Sequence, residues 1–165
     1  MEFGFHQQPE RPGLPNLRLL VAVQSKLAFC PDAGLHRGFM YEVTVEDSFA
    51  AGHYLRNYRG KCENPHGHNY KVRVTLAGEQ LDRAGLLLDF KDLRDVMRQV
   101  IDRLDHRMIN DVEPFVVLNP SAENLAKYFF DEANGRLHSS TNGRVWVKTV
   151  TVFETDTTTA TYSEA

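Results

Sequence analysis

Three histidines in the first half of the chain have the residue type and spacing of metal ligands. His66 and His68 are separated only by Gly67, and His53 lies a short distance before them. Residues two apart on a β-strand project to the same face, and a glycine between them lets backbone and ligand approach closely. Zinc prefers neutral imidazole nitrogens, and a catalytic zinc site combines three protein ligands with an open fourth position. The trio therefore predicts a catalytic zinc site, although a single histidine in isolation is more often structural.

Cys62 precedes His66 in a polar segment that also contains Pro65. It could be a fourth metal ligand, which would close the site and make it structural. It could instead be a thiolate base beside the metal, or an inert buried thiol. The polar neighbours and Pro65 indicate a loop at the site rather than packed core, so the inert thiol is the least favoured of the three.

Two further groups could move protons or bind a ligand. Asp105 stands next to His106, and a carboxylate beside an imidazole can fix its tautomer and raise its basicity. The alternative is a helix end at which His106 merely favours the helix dipole. Glu154 shares a strand face with Val150 and Val152, where a carboxylate needs a partner. It could accept two N–H groups of a ligand, or turn to solvent at the strand end.

Alternating apolar and polar residues predict two strands that carry the histidines. Residues 41–48 alternate with period two, and an unbroken pleat places Phe49, Ala51 and His53 on the inward face. A second alternation runs from His66 to Leu76. Both predicted strands therefore point their histidines inward.

The remainder of the chain predicts two helices followed by two strands. Asp89 is the expected N-cap of the first helix, which ends near Asp105, and Ser121 is the expected N-cap of the second, which Gly135 weakens at its end. Apolar positions of the first helix recur at spacings of three and four: Phe90, Leu93, Met97, Val100 and Leu104. Those of the second helix are Leu125, Tyr128, Phe129 and Ala133. Residues 144–154 and 157–163 are threonine-rich and predict the last strands.

The order strand, strand, helix, helix, strand, strand predicts an α+β fold, with a four-stranded antiparallel sheet and both helices on one face. The exposed edges of such a sheet favour association with further copies of the chain. Residues 1–39 contain four prolines and no sustained period. We therefore expect residues 40–165 to form the domain, and residues 1–39 to be a flexible or dispensable N-terminal extension.

Composition excludes several classes of function. The formal net charge of -3 provides no basic field, which argues against a nucleic-acid partner. The two cysteines, Cys30 and Cys62, are too few for a disulfide framework, so a reducing compartment, by default the cytoplasm, is expected. No apolar run reaches the roughly 18 residues of a transmembrane helix, and the N-terminus lacks the features of a signal peptide.

The chain resembles the 6-pyruvoyl-tetrahydropterin synthase family, which includes the 6-carboxy-tetrahydropterin synthases, over residues 40–165. Five segments carry the resemblance in this order: Phe-Ala-Ala-Gly-His at 49–53, Cys-Glu-Asn-Pro-His-Gly-His at 62–68, Leu-Asp-His at 104–106, Asn-Pro-Ser-Ala-Glu-Asn at 119–124 and Phe-Glu-Thr at 153–155. The resemblance implies the tunnelling fold, in which subunits pool their antiparallel sheets into a barrel. It also implies a homohexamer made of two trimers, with active sites at subunit interfaces.

The same resemblance implies a role for each polar residue above. The zinc ligands are His53, His66 and His68; the proton acceptor is Cys62; the residues that assist proton transfer are Asp105 and His106; and the anchor of the pterin ring is Glu154, which could also join the relay with His106. The implied substrate is 7,8-dihydroneopterin triphosphate. Its side-chain hydroxyls approach the zinc, and their acidity rises there.

The spacing of Cys62 and His66 distinguishes the branches of the family. Three residues separate them, which is similar to the 6-carboxy-tetrahydropterin synthases of the bacterial 7-deazaguanine (queuosine) pathway, whereas the pyruvoyl enzymes have a longer gap. The implied reaction releases acetaldehyde and triphosphate and leaves 6-carboxy-tetrahydropterin. Glu63 is similar to the glutamate of a third subgroup, which cleaves the side chain for folate synthesis. The pyruvoyl and folate-type reactions remain alternatives, and a non-catalytic zinc-stabilised binding module is the alternative of another class.

Overall fold

The computed structural model describes residues 40–164, so the predicted N-terminal extension, residues 1–39, lies outside the described part. The elements are β1 (Tyr41–His53), β2 (His66–Gly78), α1 (Phe90–Ile101), α2 (Ala122–Thr141), β3 (Trp146–Phe153) and β4 (Thr159–Tyr162). Short 3-10 turns at Lys61–Glu63 and Ile109–Asp111 add to these. The predicted order of strands and helices is confirmed, and the last two strands are shorter than predicted.

The four strands form one antiparallel sheet in the order β1-β2-β3-β4. Pairing of β1 with β2 is unbroken from Tyr41 opposite Gly78 to His53 opposite His66. Because directly opposed residues of an antiparallel pair point to the same face, this register makes His53 and His66 neighbours on the inward face. The pleat of β2 places His68 there as well.

Both helices cover the inward face of the sheet and share one hydrophobic core with it. Phe49 of β1, Val72 of β2, Met97 of α1 and Phe129 of α2 all belong to this core, and each is at most 5% exposed. Burial of each such side chain contributes about 1.5–3 kcal/mol to folding. The predicted fold class, with helices on one face only, is confirmed.

Three helical predictions need correction. Phe90 was expected on the inward stripe but is 59% exposed, because it is the first residue of α1 and precedes the turn that meets the sheet. The helix ends at Ile101 rather than near Asp105. Gly135 does not weaken α2, which continues to Thr141. Gly135 faces solvent, while Leu137 is buried and holds the last turns on the core.

Neither helix of residues 40–164 combines the length and the apolar character needed to cross a membrane.

The N-cap of α1 provides a test of how the helix begins. The Asp89 side chain accepts a hydrogen bond from the backbone N–H of Lys91 at 2.8 Å. Asp89→Ala should lower the free energy of unfolding by about 1 kcal/mol, because that donor loses its partner. Asp89→Asn keeps an acceptor oxygen and should lose less. Urea unfolding of both variants measures the difference, and equal losses would show that the negative charge, not the cap, stabilises the helix.

Candidate metal centre and active site

The three predicted metal ligands meet at the end of the β1–β2 pair. One ring nitrogen from each of His53, His66 and His68 lies within 4.8 Å of the others, and the Nε2 atoms of His53 and His66 are 3.1 Å apart. Zinc with bonds to nitrogen of about 2.0–2.1 Å holds tetrahedral ligand atoms about 3.3–3.4 Å apart. The spacing of the histidines is therefore close to that of a zinc site.

Hydrogen bonds to the backbone orient two of these rings. His53 Nδ1 lies 2.8 Å from the carbonyl oxygen of Pro120, and His66 Nδ1 lies 2.8 Å from that of Asn64. A carbonyl oxygen only accepts, so each Nδ1 carries the hydrogen and donates it, which leaves the lone pairs of the two Nε2 atoms facing each other. Metal-binding histidines are commonly held in this way.

His68 completes the fit to a metal. Its Nε2 is buried and has no hydrogen-bond partner within residues 40–164. A buried polar atom without a partner costs free energy, and a cation among the three nitrogens would remove that cost and the repulsion between the lone pairs. The donor set therefore fits a divalent metal that accepts imidazole ligands, such as zinc.

Two asparagines fix the backbone that follows His53. Asn110 accepts from the N–H of Tyr54 and donates to its carbonyl oxygen, both at 2.9 Å. Asn119 does the same for Arg56, at 2.8 and 2.9 Å. Each side-chain amide therefore forms the same pair of hydrogen bonds as the backbone of a neighbouring strand. These bonds hold the backbone of Tyr54 and Arg56 in place after the end of β1.

The N-terminus of α2 belongs to the same arrangement. Asn124 donates to the carbonyl oxygen of Asn119 at 2.9 Å, and its backbone N–H donates to the capping side chain of Ser121 at 3.3 Å. Pro120 lies between these residues and supplies the carbonyl oxygen for His53. The start of α2 and the end of β1 therefore set the position of His53, which is only 1% exposed.

Aromatic packing closes the core side of the site. The ring of Tyr70 lies edge-on to His53 at 5.7 Å and to His68 at 5.4 Å, and it stacks on Phe49 at 5.0 Å. Burial raises the pKa of Tyr70 well above its usual range, and the negative charges of Glu154 and Cys62 raise it further. Burial also lowers the pKa of His53, against the opposing effect of its Pro120 hydrogen bond. The phenol of Tyr70 and the imidazole of His53 are therefore both uncharged where their rings meet in the core.

Glu154 lies against the histidine trio. Its Oε1 is 3.4 Å from Nε2 of His53 and 3.8 Å from Nε2 of His68. The side chain is 29% exposed, so one side of it remains open to solvent. The carboxylate predicted to share the inward face with Val150 and Val152 thus finds its neighbours at the candidate metal centre.

Asp105 and His106 form a pair at the outer edge of β1. Asp105 accepts from the backbone N–H of Ala50 at 2.9 Å, and its carboxylate lies 2.9 Å from His106 Nδ1. The hydrogen bond from Ala50 and then that from His106 lower the pKa of Asp105. His106 has φ 55°, a left-handed conformation that is uncommon outside glycine, and its N–H donates to the carbonyl oxygen of Ala50 at 2.6 Å. The backbone is thus held in place by its partners on β1.

A shallow cavity lies beside the Asp105–His106 pair. His106 and His68 both line a space of about 380 Å³ beside Gly52 and Gly67, which oppose each other in the sheet. Within residues 40–164, no hydrogen bond or ion pair joins His106 to Cys62 or to the histidine trio. In one copy of the chain the pair is therefore not bonded to the histidine trio.

Cys62 stands beside the histidine group but is not part of it. It lies in the 3-10 turn Lys61–Glu63 and is half-buried, and its carbonyl oxygen accepts from the N–H of Leu55 at 2.8 Å. The ligand atoms that converge in the described part of the chain come from the three histidines, without its thiol. This geometry favours a role other than closing a structural zinc site.

The fold and the histidine site together define a class. A four-stranded antiparallel sheet with both helices on one face is the tunnelling fold of the tetrahydropterin synthases whose solved structures this chain matches. The solved structure of Caenorhabditis elegans 6-pyruvoyl tetrahydropterin synthase matches this chain with a TM-score of 0.68 at 30% identity, over 79% of this chain and 100% of that one.

Sequence comparisons agree. Residues 42–165 match the family described as 6-pyruvoyl tetrahydropterin synthase. A 6-carboxy-5,6,7,8-tetrahydropterin synthase from Bacillus subtilis (strain 168) is 31% identical over 129 residues, covering 75% of this chain and 86% of the relative. The protein of that name from Haemophilus influenzae is 39% identical over 77 residues. This match covers 44% of this chain and 54% of the relative, so it spans about half of the relative's length. The chain belongs to the 6-pyruvoyl tetrahydropterin synthase family, and its prediction as an enzyme of this family is confirmed.

Sequence reasoning missed the residues that hold the ligands in place. Asn110 and Asn119 were not singled out as site residues, and Tyr70 was treated only as part of a strand. Asn110 is 1% exposed, but it lies between Ile109 and Asp111, so the local sequence gives no signal for a buried amide. Its strand-like pairing with Tyr54 depends on a contact distant in sequence, which periodicity does not report.

Asn119 provides a test of how the metal centre is held. Asn119→Ala should lower the affinity for zinc by about 10–100-fold, because the carbonyl oxygen that orients His53 loses its support. Asn134→Ala is the matched control: Asn134 accepts from the N–H of Val147 at 3.2 Å, away from the site. It should cost stability without changing zinc affinity. Competition with a chromophoric chelator measures both, and equal affinities in the two variants would contradict the assignment.

Proposed function

We propose that this protein is a zinc-dependent 6-carboxy-tetrahydropterin synthase. It converts 7,8-dihydroneopterin triphosphate to 6-carboxy-tetrahydropterin and releases acetaldehyde and triphosphate. The observation that carries the proposal is the convergence of three imidazole nitrogens, two of them oriented by backbone carbonyls, in a chain of this family. The three-residue spacing of Cys62 and His66 supports the 6-carboxy branch. The product belongs to 7-deazaguanine (queuosine) biosynthesis, for which we propose a cytoplasmic location.

His53, His66 and His68 would hold the zinc. Bound zinc would increase the acidity of the substrate's side-chain hydroxyls. The neutral imidazoles suit this task because they bring no negative charge of their own to the metal, which keeps it strongly electrophilic. Tyr70 and Phe49 keep water from the core side of the site.

Cys62 and the Asp105–His106 pair are assigned the proton transfers. Cys62 accepts a proton from the substrate side chain as a thiolate. Asp105, whose pKa is lowered, stays ionised and accepts the Nδ1 hydrogen of His106. This leaves His106 Nε2 free to exchange a proton, and the ring is 80% exposed and accessible to a substrate or another subunit.

Glu154 is assigned to the pterin ring. A carboxylate accepts two adjacent N–H groups in bidentate fashion, which fixes both the position and the orientation of a planar ring. Its partial exposure leaves it accessible to a ligand that enters from solvent.

Assembly completes the proposal. We propose a homohexamer of two trimers with active sites at subunit interfaces. The exposure of His106 in the single chain supports this arrangement, because a catalytic pair that faces outwards can serve a site shared with another subunit. Large apolar side chains that remain exposed, Val116, Val117 and Leu118, are further candidates for burial on association. Residues 1–39 are proposed to be an extension that the domain does not need.

Product identification tests the reaction. Incubation of the zinc-loaded protein with 7,8-dihydroneopterin triphosphate should yield 6-carboxy-tetrahydropterin, identified by mass, with an equal amount of acetaldehyde. Glu63, exposed in the same turn as Cys62, favours folate-type cleavage as the second candidate. Detection of only a hydroxymethyl or pyruvoyl pterin would contradict the first proposal.

Cys62→Ala separates the catalytic and structural roles of the thiol. Turnover should fall by about 10²–10⁴-fold, because the proton acceptor is lost. Zinc content and thermal stability should stay near those of the unsubstituted protein, because the thiol lies outside the converging ligand group. Loss of zinc together with unfolding would instead support the non-catalytic zinc-stabilised module.

Glu63→Gln is the comparison for that experiment. It removes a charge from the turn that carries Cys62 but leaves the thiol in place. The 6-carboxy reaction should persist in this variant. If Glu63→Gln abolishes turnover while Cys62→Ala retains it, the folate-type reaction becomes the better assignment.

A further inference from the structure

The position of Glu154 points to a role besides binding the pterin ring. Tetrahedral zinc with bonds of about 2.0–2.2 Å to nitrogen and oxygen places neighbouring ligand atoms about 3.3–3.5 Å apart. Oε1 of Glu154 is 3.4 Å from Nε2 of His53 and 3.8 Å from Nε2 of His68. The carboxylate oxygen thus lies at the separation of a neighbouring zinc ligand from His53 and near that separation from His68, but more than 4.0 Å from the ring nitrogens of His66. A change of rotamer would bring it to the fourth position of the same metal.

Hydrogen bonding does not account for the approach to His53. The hydrogen of that ring is on Nδ1, where it is donated to Pro120. The Nε2 atom therefore presents a lone pair to the carboxylate oxygen, and two electron-rich atoms at 3.4 Å repel each other unless a cation lies between them. The buried Nε2 of His68, which lacks a hydrogen-bond partner in the described part of the chain, faces the same carboxylate.

We propose that Glu154 is the fourth ligand of the metal in the substrate-free protein and leaves that position when the pterin ring binds. The inference rests on the proposed metal centre and adds to it. One carboxylate then has two successive partners: the metal first, and the N–H groups of the ring afterwards. Recognition of the ring would open the metal to the substrate side chain, so that chemistry begins only when the correct ring is present.

The local structure permits such an exchange. Glu154 follows the last residue of β3, and its backbone is tied to the turn by a hydrogen bond from its N–H to the carbonyl oxygen of Thr158 at 3.1 Å. The side chain is 29% exposed and can change rotamer without disturbing the core.

Metal affinity and cobalt spectroscopy test the inference without turnover. Glu154→Gln and Glu154→Ala should each weaken zinc binding by at least about tenfold in chelator competition. With Co²⁺ in place of zinc, both should change the visible d–d bands. Glu63→Gln is the matched control, since it removes one negative charge from an exposed position near the site, and it should change neither.

The outcomes separate this inference from the proposed function. If Glu154→Gln and Glu154→Ala bind zinc as tightly as the unsubstituted protein, with an unchanged cobalt spectrum, Glu154 is not a ligand and only this inference fails. If the unsubstituted protein binds no stoichiometric metal, the proposed metal centre fails with it.

Exchange is tested with unsubstituted pterin, which carries the ring without the side-chain hydroxyls that would themselves reach the metal. Its binding, followed by pterin fluorescence, should alter the cobalt spectrum of the unsubstituted protein, because the carboxylate departs. Binding with no spectral change would overturn the exchange.

Discussion

The hydrogen bond from His53 Nδ1 to the carbonyl oxygen of Pro120 connects the two halves of the fold at the site. His53 is the last residue of β1, and Pro120 immediately precedes the capped start of α2. This bond places the hydrogen of His53 on Nδ1. The lone pair of Nε2 is therefore free to face a metal. The two asparagine pairings fix the chain on either side of this bond. The precision of the metal centre therefore depends on packing between elements more than 60 residues apart, as the separation of 67 residues between the bonded groups shows.

The same arrangement would make a bound metal contribute to the stability of the fold. Facing lone pairs of His53 and His66, a buried nitrogen of His68 and a nearby carboxylate are mutually unfavourable without a cation. The core beneath them, with Tyr70 fully buried, offers little water to compensate. An ion that binds this set in the native state and less well in the unfolded chain stabilises the fold by mass action. The sheet and helices thus hold together a site that would be under strain when empty.

Period-two patterns were sufficient to predict the β1–β2 pair and its inward histidines, because an unbroken pleat fixes the facing of every residue once one is known. Helix caps at Asp89 and Ser121 were also predictable, since capping is local chemistry. Phe90 was mispredicted because the periodic stripe does not show where the first turn meets the sheet. The distance from Glu154 to the histidines, and the pairing of Asn110 with Tyr54, depend on contacts between distant segments. No local pattern encodes them.

The carboxylates of Glu154 and Asp105 lie in two separate parts of the candidate site. In addition to burial, the negative charge of Glu154 raises the pKa of the Tyr70 phenol, and Oε1 of Glu154 lies 3.4 Å from Nε2 of His53. Asp105 is held apart, at the edge of β1, by the N–H of Ala50. Had its carboxylate joined Glu154, a second negative charge would have entered a partly dry site, where like charges favour protonation of one member. Separation keeps Asp105 ionised and able to orient His106, while Glu154 remains next to the histidine trio. The sheet edge is therefore as important to the proposed chemistry as the histidine trio, because it keeps the two carboxylates in different environments.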